Sequence, residues 1–96
     1  MRLTEEEISG IKKAFYETFK EGEIYLFGSR IDESQKGGDI DLYIIPFKKI
    51  KNLREEKLKF LIKLDEYLGE QKIDVIISKD KDRLIEQEAL KKGVKL

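Results

Sequence analysis

Apolar residues along this chain fall into two alternating rhythms. Ile8, Ile11, Phe15 and Phe19 recur at helical spacing and predict an amphipathic helix. Thr4 begins it, Glu7 completes a capping box, and acids fill the first turn. Gly22 is expected to end that helix and turn the chain. Ile24-Tyr25-Leu26-Phe27 follows, four apolar residues without alternation, as expected of a strand covered on both faces. Residues 28–38 read as a polar loop, and residues 40–45 as a second strand stopped by the single proline, Pro46. Asn52 with Glu55 then caps a second helix ending near Gly69. Its buried stripe is Leu53, Phe60, Leu61, Leu64 and Leu68, widened by Leu58, Ile62 and Tyr67. Residues 73–77 form a third strand. Ser78 or Asp80 caps a last helix through Leu84, Ile85, Ala89 and Leu90, closed by Gly93, and the mixed-charge run 79–83 reads as its solvated start.

The expected fold is α+β, a two-layer arrangement of a small mixed sheet flanked by helices, in the order α-β-β-α-β-α. It occupies 1–96 as one domain. A loop of about ten residues lets the first two strands pair antiparallel, whereas the helix-containing connection to the third permits a parallel neighbour. In that arrangement Asp41 and Asp74 come level on adjacent strands, roughly 4.8 Å apart.

Composition narrows the chemistry. Twenty basic residues balance twenty acidic ones among 96, so no net charge announces a nucleic-acid or membrane surface. Charged residues reach 42 per cent, and with no cysteine and one methionine this resembles the bias of thermophile proteins. Without cysteine or histidine there is no thiol nucleophile, no zinc–thiolate site and no imidazole base. Carboxylates, hydroxyls, lysines and arginines remain, a set that favours hard cations with oxygen ligands. The charged N-terminus shows no signal peptide, and no apolar run reaches the roughly 18 residues of a membrane span. The expectation is a soluble, cytoplasmic protein.

The informative stretch is FGSRIDESQKGGDIDLY, residues 27–43. Asp39 and Asp41 lie two apart on a strand, so both point to one face, with Cα atoms about 6.5 Å apart. Asp74 interrupts an otherwise apolar strand, where a carboxylate is costly unless paired or bound to metal. Three such groups at one end of a sheet can hold one or two Mg²⁺ ions. Gly28 lets backbone approach a phosphate, Ser29 adds a hydroxyl donor, and Arg30 and Lys36 offer charge nearby. Tyr43 shares the aspartates' face and is expected in the core. Each piece alone has a plain structural explanation as a turn, a strand edge or a solvated acid; the combination is what carries chemistry.

Gly28-Ser29, the loop, Asp39-Ile40-Asp41 and a later strand aspartate resemble the nucleotidyltransferase superfamily that includes DNA polymerase β. The small size and the KGGDIDLYI form resemble its minimal nucleotidyltransferase branch. The resemblance implies transfer of NMP from an NTP, with ATP as the expected substrate, to a hydroxyl. It implies that Asp39 and Asp41 bind two Mg²⁺ ions, and that Asp74 binds the catalytic one and helps deprotonate the acceptor. It further implies that Gly28 and Ser29 hold the β and γ phosphates of the NTP, and Arg30, by its charge and place beside them, is a further candidate for nucleotide binding. Two departures are visible: the loop between Ser29 and Asp39 is one residue shorter than the branch's common spacing, and Gly38 stands where serine is frequent.

Many proteins of that branch are antitoxins whose partner is a helical HEPN-type ribonuclease toxin, some of them adding AMP to a toxin tyrosine. With no second domain for an acceptor and no basic patch in the sequence, a bound protein is the simplest acceptor, and the expected assembly is a hetero-oligomer or a homodimer. No direct nucleic-acid binding is expected. Two alternatives stand: a non-catalytic antitoxin of the same fold that covers its toxin, and transfer to a small molecule or RNA end with a separate acceptor-binding subunit.

Overall fold

The computed structural model describes residues 3–28, 39–80 and 82–96. Helix α1 spans Glu5–Phe19 and opens on the expected capping box. The Thr4 hydroxyl accepts from the Glu7 N–H at 3.0 Å, and the Glu7 carboxylate accepts from the Thr4 N–H at 3.0 Å. Its end comes earlier than the glycine predicts. Lys20 adopts φ 67° and caps α1 with its N–H on the Tyr16 carbonyl, leaving Gly22 to begin strand β1, Gly22–Phe27. Strand β2, Ile40–Pro46, pairs antiparallel with β1. Helix α2, Leu53–Leu68, begins at Asn52, whose side chain accepts from the Glu55 N–H, and ends at Gly69.

Strand β3, Ile73–Ile77, runs parallel to β2, with Asp41 level with Asp74 as the sequence expects. Helix α3, Leu84–Lys92, leads into strand β4, Val94–Lys95, which the sequence reading did not include. β4 lies antiparallel to the free side of β1, giving the sheet order β3-β2-β1-β4. Two residues have too little pattern to announce a strand; their pairing with Tyr25 and Leu26 defines them.

The two faces of the sheet carry different cores. Ile24, Leu26, Ile40, Leu42, Ile44, Val75 and Ile77 point to the α1/α2 side and bury against Ile11, Phe15, Phe19, Phe60 and Leu64. The Phe19 and Phe60 rings meet edge to face at 5.5 Å between centroids, locking the two helices over the strands. On the opposite face Tyr43 and Ile45 are buried with Ala89, and Tyr25, Phe27, Ile76 and Leu90 pack around them. Helix α3 covers this second face. A strand covered on both faces reads as the unbroken apolar runs seen in β1 and β2.

Helix α2 is narrower in its buried face than the sequence implies. Leu58 and Ile62 are exposed, and only Phe60 and Leu64 are fully covered. At about 100° per residue both outliers lie on the far side of the helix, roughly 140–180° from the Phe60–Leu64 line, so they face away from the sheet. Tyr67 does pack against the core. No helix among the described residues is long and apolar enough to cross a membrane.

Candidate active site

The acidic residues gather where β1 ends and β2 and β3 begin. β1 delivers Phe27 opposite Asp41, and Gly28 follows at the strand's C-terminal end. β2 supplies Asp41 two residues before Tyr43, the point at which the cover of α3 starts. β3 places Asp74 beside Asp41 in parallel register, on neighbouring strands about 4.8 Å apart. Asp39, just before β2, shares Asp41's face by strand alternation.

Asp41 is the strained member. Its carboxyl is held above the usual carboxylate range, first by loss of water through burial, then by the charges of Asp74 and Asp39. The sequence assigns the cost of a desolvated acid to Asp74, but Asp74 is exposed and Asp41 is half-buried. The reason is position in the sheet: β2 has a neighbour on each side, whereas β3 is an edge. Asp39 is half-buried and makes an ion pair with Lys72, Oδ2 to Nζ, at 3.7 Å. Among the described residues no three acidic side chains close into a finished ligand cage. The arrangement is three carboxylates within mutual electrostatic reach, one of them already burdened by the other two.

Gly28 fits this site by having no side chain. Its φ is +82°, a backbone conformation that disfavours L side chains, and a Cβ there would overlap Asp41 Oδ2 and crowd the rest of that carboxyl group. The end of β1 therefore lies directly on the Asp41 carboxylate. Gly28→Ala is expected to displace that carboxylate and cut any activity that depends on it by roughly tenfold to a hundredfold. The comparison of kcat for the two proteins checks this, with a fall in stability of about 1–2 kcal/mol from the backbone conformation alone. Ser29, Arg30 and Lys36, the expected phosphate-side residues, lie outside the described residues.

The donor set is all oxygen, anionic and clustered at a glycine cradle. That chemistry fits a hard divalent cation such as Mg²⁺ and not a thiophilic or imidazole-seeking metal. A cation would relieve the like-charge burden on Asp41, which is why this corner of the sheet, and no other acidic group among the described residues, reads as a site.

A model of the polymerase β nucleotidyltransferase family matches residues 9–96. The chain belongs to that family. Nucleotidyl transfer is accordingly the general activity of this polymerase β-type nucleotidyltransferase, and its mixed sheet with flanking helices is the fold that goes with it. Comparison with curated proteins gave no match.

One residue of this nucleotidyltransferase escaped the sequence reading. Glu86 is fully buried on α3 and accepts five hydrogen bonds. They come from Tyr43 Oη at 2.8 Å, Ser78 Oγ at 2.6 Å, the N–H groups of Lys79 and Asp80 at 3.0 and 2.9 Å, and Arg83 Nη1 at 3.4 Å. Ser78 and Asp80 therefore do not cap α3: its cap residue is Arg83, which offers no side-chain cap bond, and Lys79, Asp80, Asp82 and Arg83 lie outside the helix. The cap is inverted, a carboxylate in the first turn gathering the preceding loop's donors. Burial alone would raise this carboxyl; the bonds from Ser78, Asp80, Lys79 and Tyr43 outweigh it and bring it down to about 2. Tyr43, two residues from Asp41, is thereby fixed beneath α3, as a core residue and not part of an open base pocket. The available signal was that Glu86 shares a helical stripe with Ala89, Leu90 and Gly93, a polar residue on an apolar face.

Proposed function

We propose that this chain transfers AMP from ATP to a hydroxyl of a bound partner protein, and that its biological role is that of an antitoxin to a helical HEPN-type toxin. The observation that carries the catalytic part is the placement of Asp41, level with Asp74, on the same face as Asp39 and pressed against Gly28. Asp39, Asp41 and Asp74 would hold two Mg²⁺ ions, which neutralise phosphate charge and favour displacement at phosphorus when bound. In the transfer the acceptor oxygen bonds to the α-phosphorus, the bond from that phosphorus to the β-bridging oxygen breaks, and pyrophosphate leaves. The acceptor's proton passes to a carboxylate, a role that fits Asp74 because its side chain is exposed to an incoming hydroxyl. Gly28 keeps the phosphate approach clear, and Ser29 and Arg30 would grip the triphosphate.

The acceptor is proposed to be a protein: the exposed Asp74 carboxylate at the edge strand is open to an incoming hydroxyl, and the second face beside it is packed by α3 through Ala89 and Leu90. The test mixes the protein with ATP labelled at the α-phosphate, Mg²⁺ and a HEPN-type helical toxin. The expected result is label on a tyrosine of that protein and loss of its toxicity. Neutralisation without label, equally strong in EDTA, would instead establish the non-catalytic antitoxin. Label on RNA ends or a small molecule alone would establish the third reading.

A further inference from the structure

Balanced net charge hides an uneven distribution of cations. Five lysines are matched: Lys59 with Glu55 and Glu56, Lys63 with Glu17, Lys72 with Asp39, Lys92 with Glu88 and Lys95 with Glu23, while Lys20, Lys51 and Lys91 are exposed singly without a carboxylate partner among the described residues. At the end of the sheet opposite the aspartates the unpaired cations cluster. Lys48, Lys49, Arg54, Lys57 and Lys79 are all exposed, and none has a carboxylate partner among the described residues.

These five line two adjoining clefts of about 340 and 690 Å³ that share Leu53 and Lys79. Both volumes fall in the range of ligand clefts, ~300–1,000 Å³. The carboxylate on the described wall of the larger cleft, Glu23, is engaged by Lys95 at 3.3 Å and by the Tyr25 hydroxyl at 2.7 Å. Phe47 stands among the lysines with 64 per cent of its surface exposed. An apolar ring left in water among unpaired cations has no role in the core.

We propose that this groove binds single-stranded nucleic acid, the cations tracking the phosphates and Phe47 stacking a base. Four lysines and one arginine are the composition of a phosphate-tracking surface, whereas lysine is depleted at protein–protein interfaces. A basic groove with an exposed aromatic is the arrangement that holds single strands without reading their sequence. A concave groove also differs from the flat basic face that would lie on a membrane. Six residues separate Asp41 from Phe47 along β2 and its extension, about 20 Å. The groove is therefore separate from the acidic corner, and the proposal does not rest on the transfer reaction.

The test is fluorescence anisotropy with the whole protein and a labelled single-stranded RNA of about 12 nucleotides, across salt concentrations. Binding is expected to weaken steeply with salt. Replacing Lys48, Lys49 and Lys79 together with Gln should lower the slope of log K against log salt by about 2, at roughly 0.7 per phosphate contact. Phe47→Ala should weaken binding by roughly tenfold to a hundredfold with the slope unchanged. All four side chains are exposed, so the variants should melt with the wild type. Absence of binding at low salt would overturn the proposal, as would indifference to the triple variant. So would equal or tighter binding to duplex RNA, to polyglutamate or to anionic vesicles.

Discussion

Asp41→Asn is expected to lower nucleotidyl transfer by about 1,000-fold or more while raising the melting temperature. The activity loss follows from the loss of several kcal/mol of metal-mediated charge stabilisation, at about 1.4 kcal/mol per factor of ten. The gain in stability has a different origin. Asp41 sits half-buried beside Asp74 and Asp39, so its ionised form is unfavourable in the fold and its carboxyl is pushed up, burial contributing most. A group of that kind subtracts stability once ionised: the penalty is absent at acid pH and grows as pH rises through the ordinary carboxylate value toward its raised one. Asn keeps the shape and removes the charge. Adding Mg²⁺ should stabilise the wild type and leave the variant unmoved, by differential scanning fluorimetry. An unchanged or lowered melting temperature for the variant would mean that burial and the neighbouring charges do not penalise the ionised Asp41.

Glu86→Gln is expected to be the most destabilising isosteric change on the second face. An amide can turn its oxygen toward the Lys79 and Asp80 N–H groups, and the Tyr43 and Ser78 hydroxyls can rotate to suit it. What is lost is the charge that strengthens all five bonds. A loss of about 1.5–3 kcal/mol follows, or a melting temperature lowered by roughly 10–20 °C for a domain of this size. The sign of the pH dependence is opposite to that of Asp41. Because Glu86 is depressed from 4.5 to about 2, its stabilisation is complete above pH 4.5 and disappears as pH falls through about 2. Acid melts of the wild type should therefore lose stability in that window, and those of Glu86→Gln should lose less. Tyr43→Phe should cost about 1 kcal/mol, since it removes one of five donors.

The parts of this protein visible in its sequence are those governed by local rules or by strand alternation. Thr4 with Glu7, and Asn52 with Glu55, announce their helices because a cap is a contact between residues three apart. The level pairing of Asp41 with Asp74 was legible because the helical crossover between β2 and β3 implies parallel neighbours. Features decided by distant partners were not. β4 exists only because β1 has a free side to receive it, and Leu58 and Ile62 are exposed because α2 turns the opposite, Phe60–Leu64 face to the sheet. Glu86 looks like any acid on a charged helix; its partners lie in β2 and in the loop before α3. The identities of the site residues were readable, but the ranking of their environments was not. Which aspartate is desolvated depends on which strand has two neighbours, and of the two strands that carry aspartates β2 does and β3 does not.

Anomalous diffraction from crystals grown with Mn²⁺ and a non-hydrolysable ATP analogue would examine the acidic corner at the atomic level. Two Mn²⁺ peaks are expected, bridged by Asp39 and Asp41, one of them also contacting Asp74, with the analogue's phosphates beside Gly28. Peaks placed elsewhere, or a filled nucleotide site with Asp74 turned away from both ions, would contradict the account.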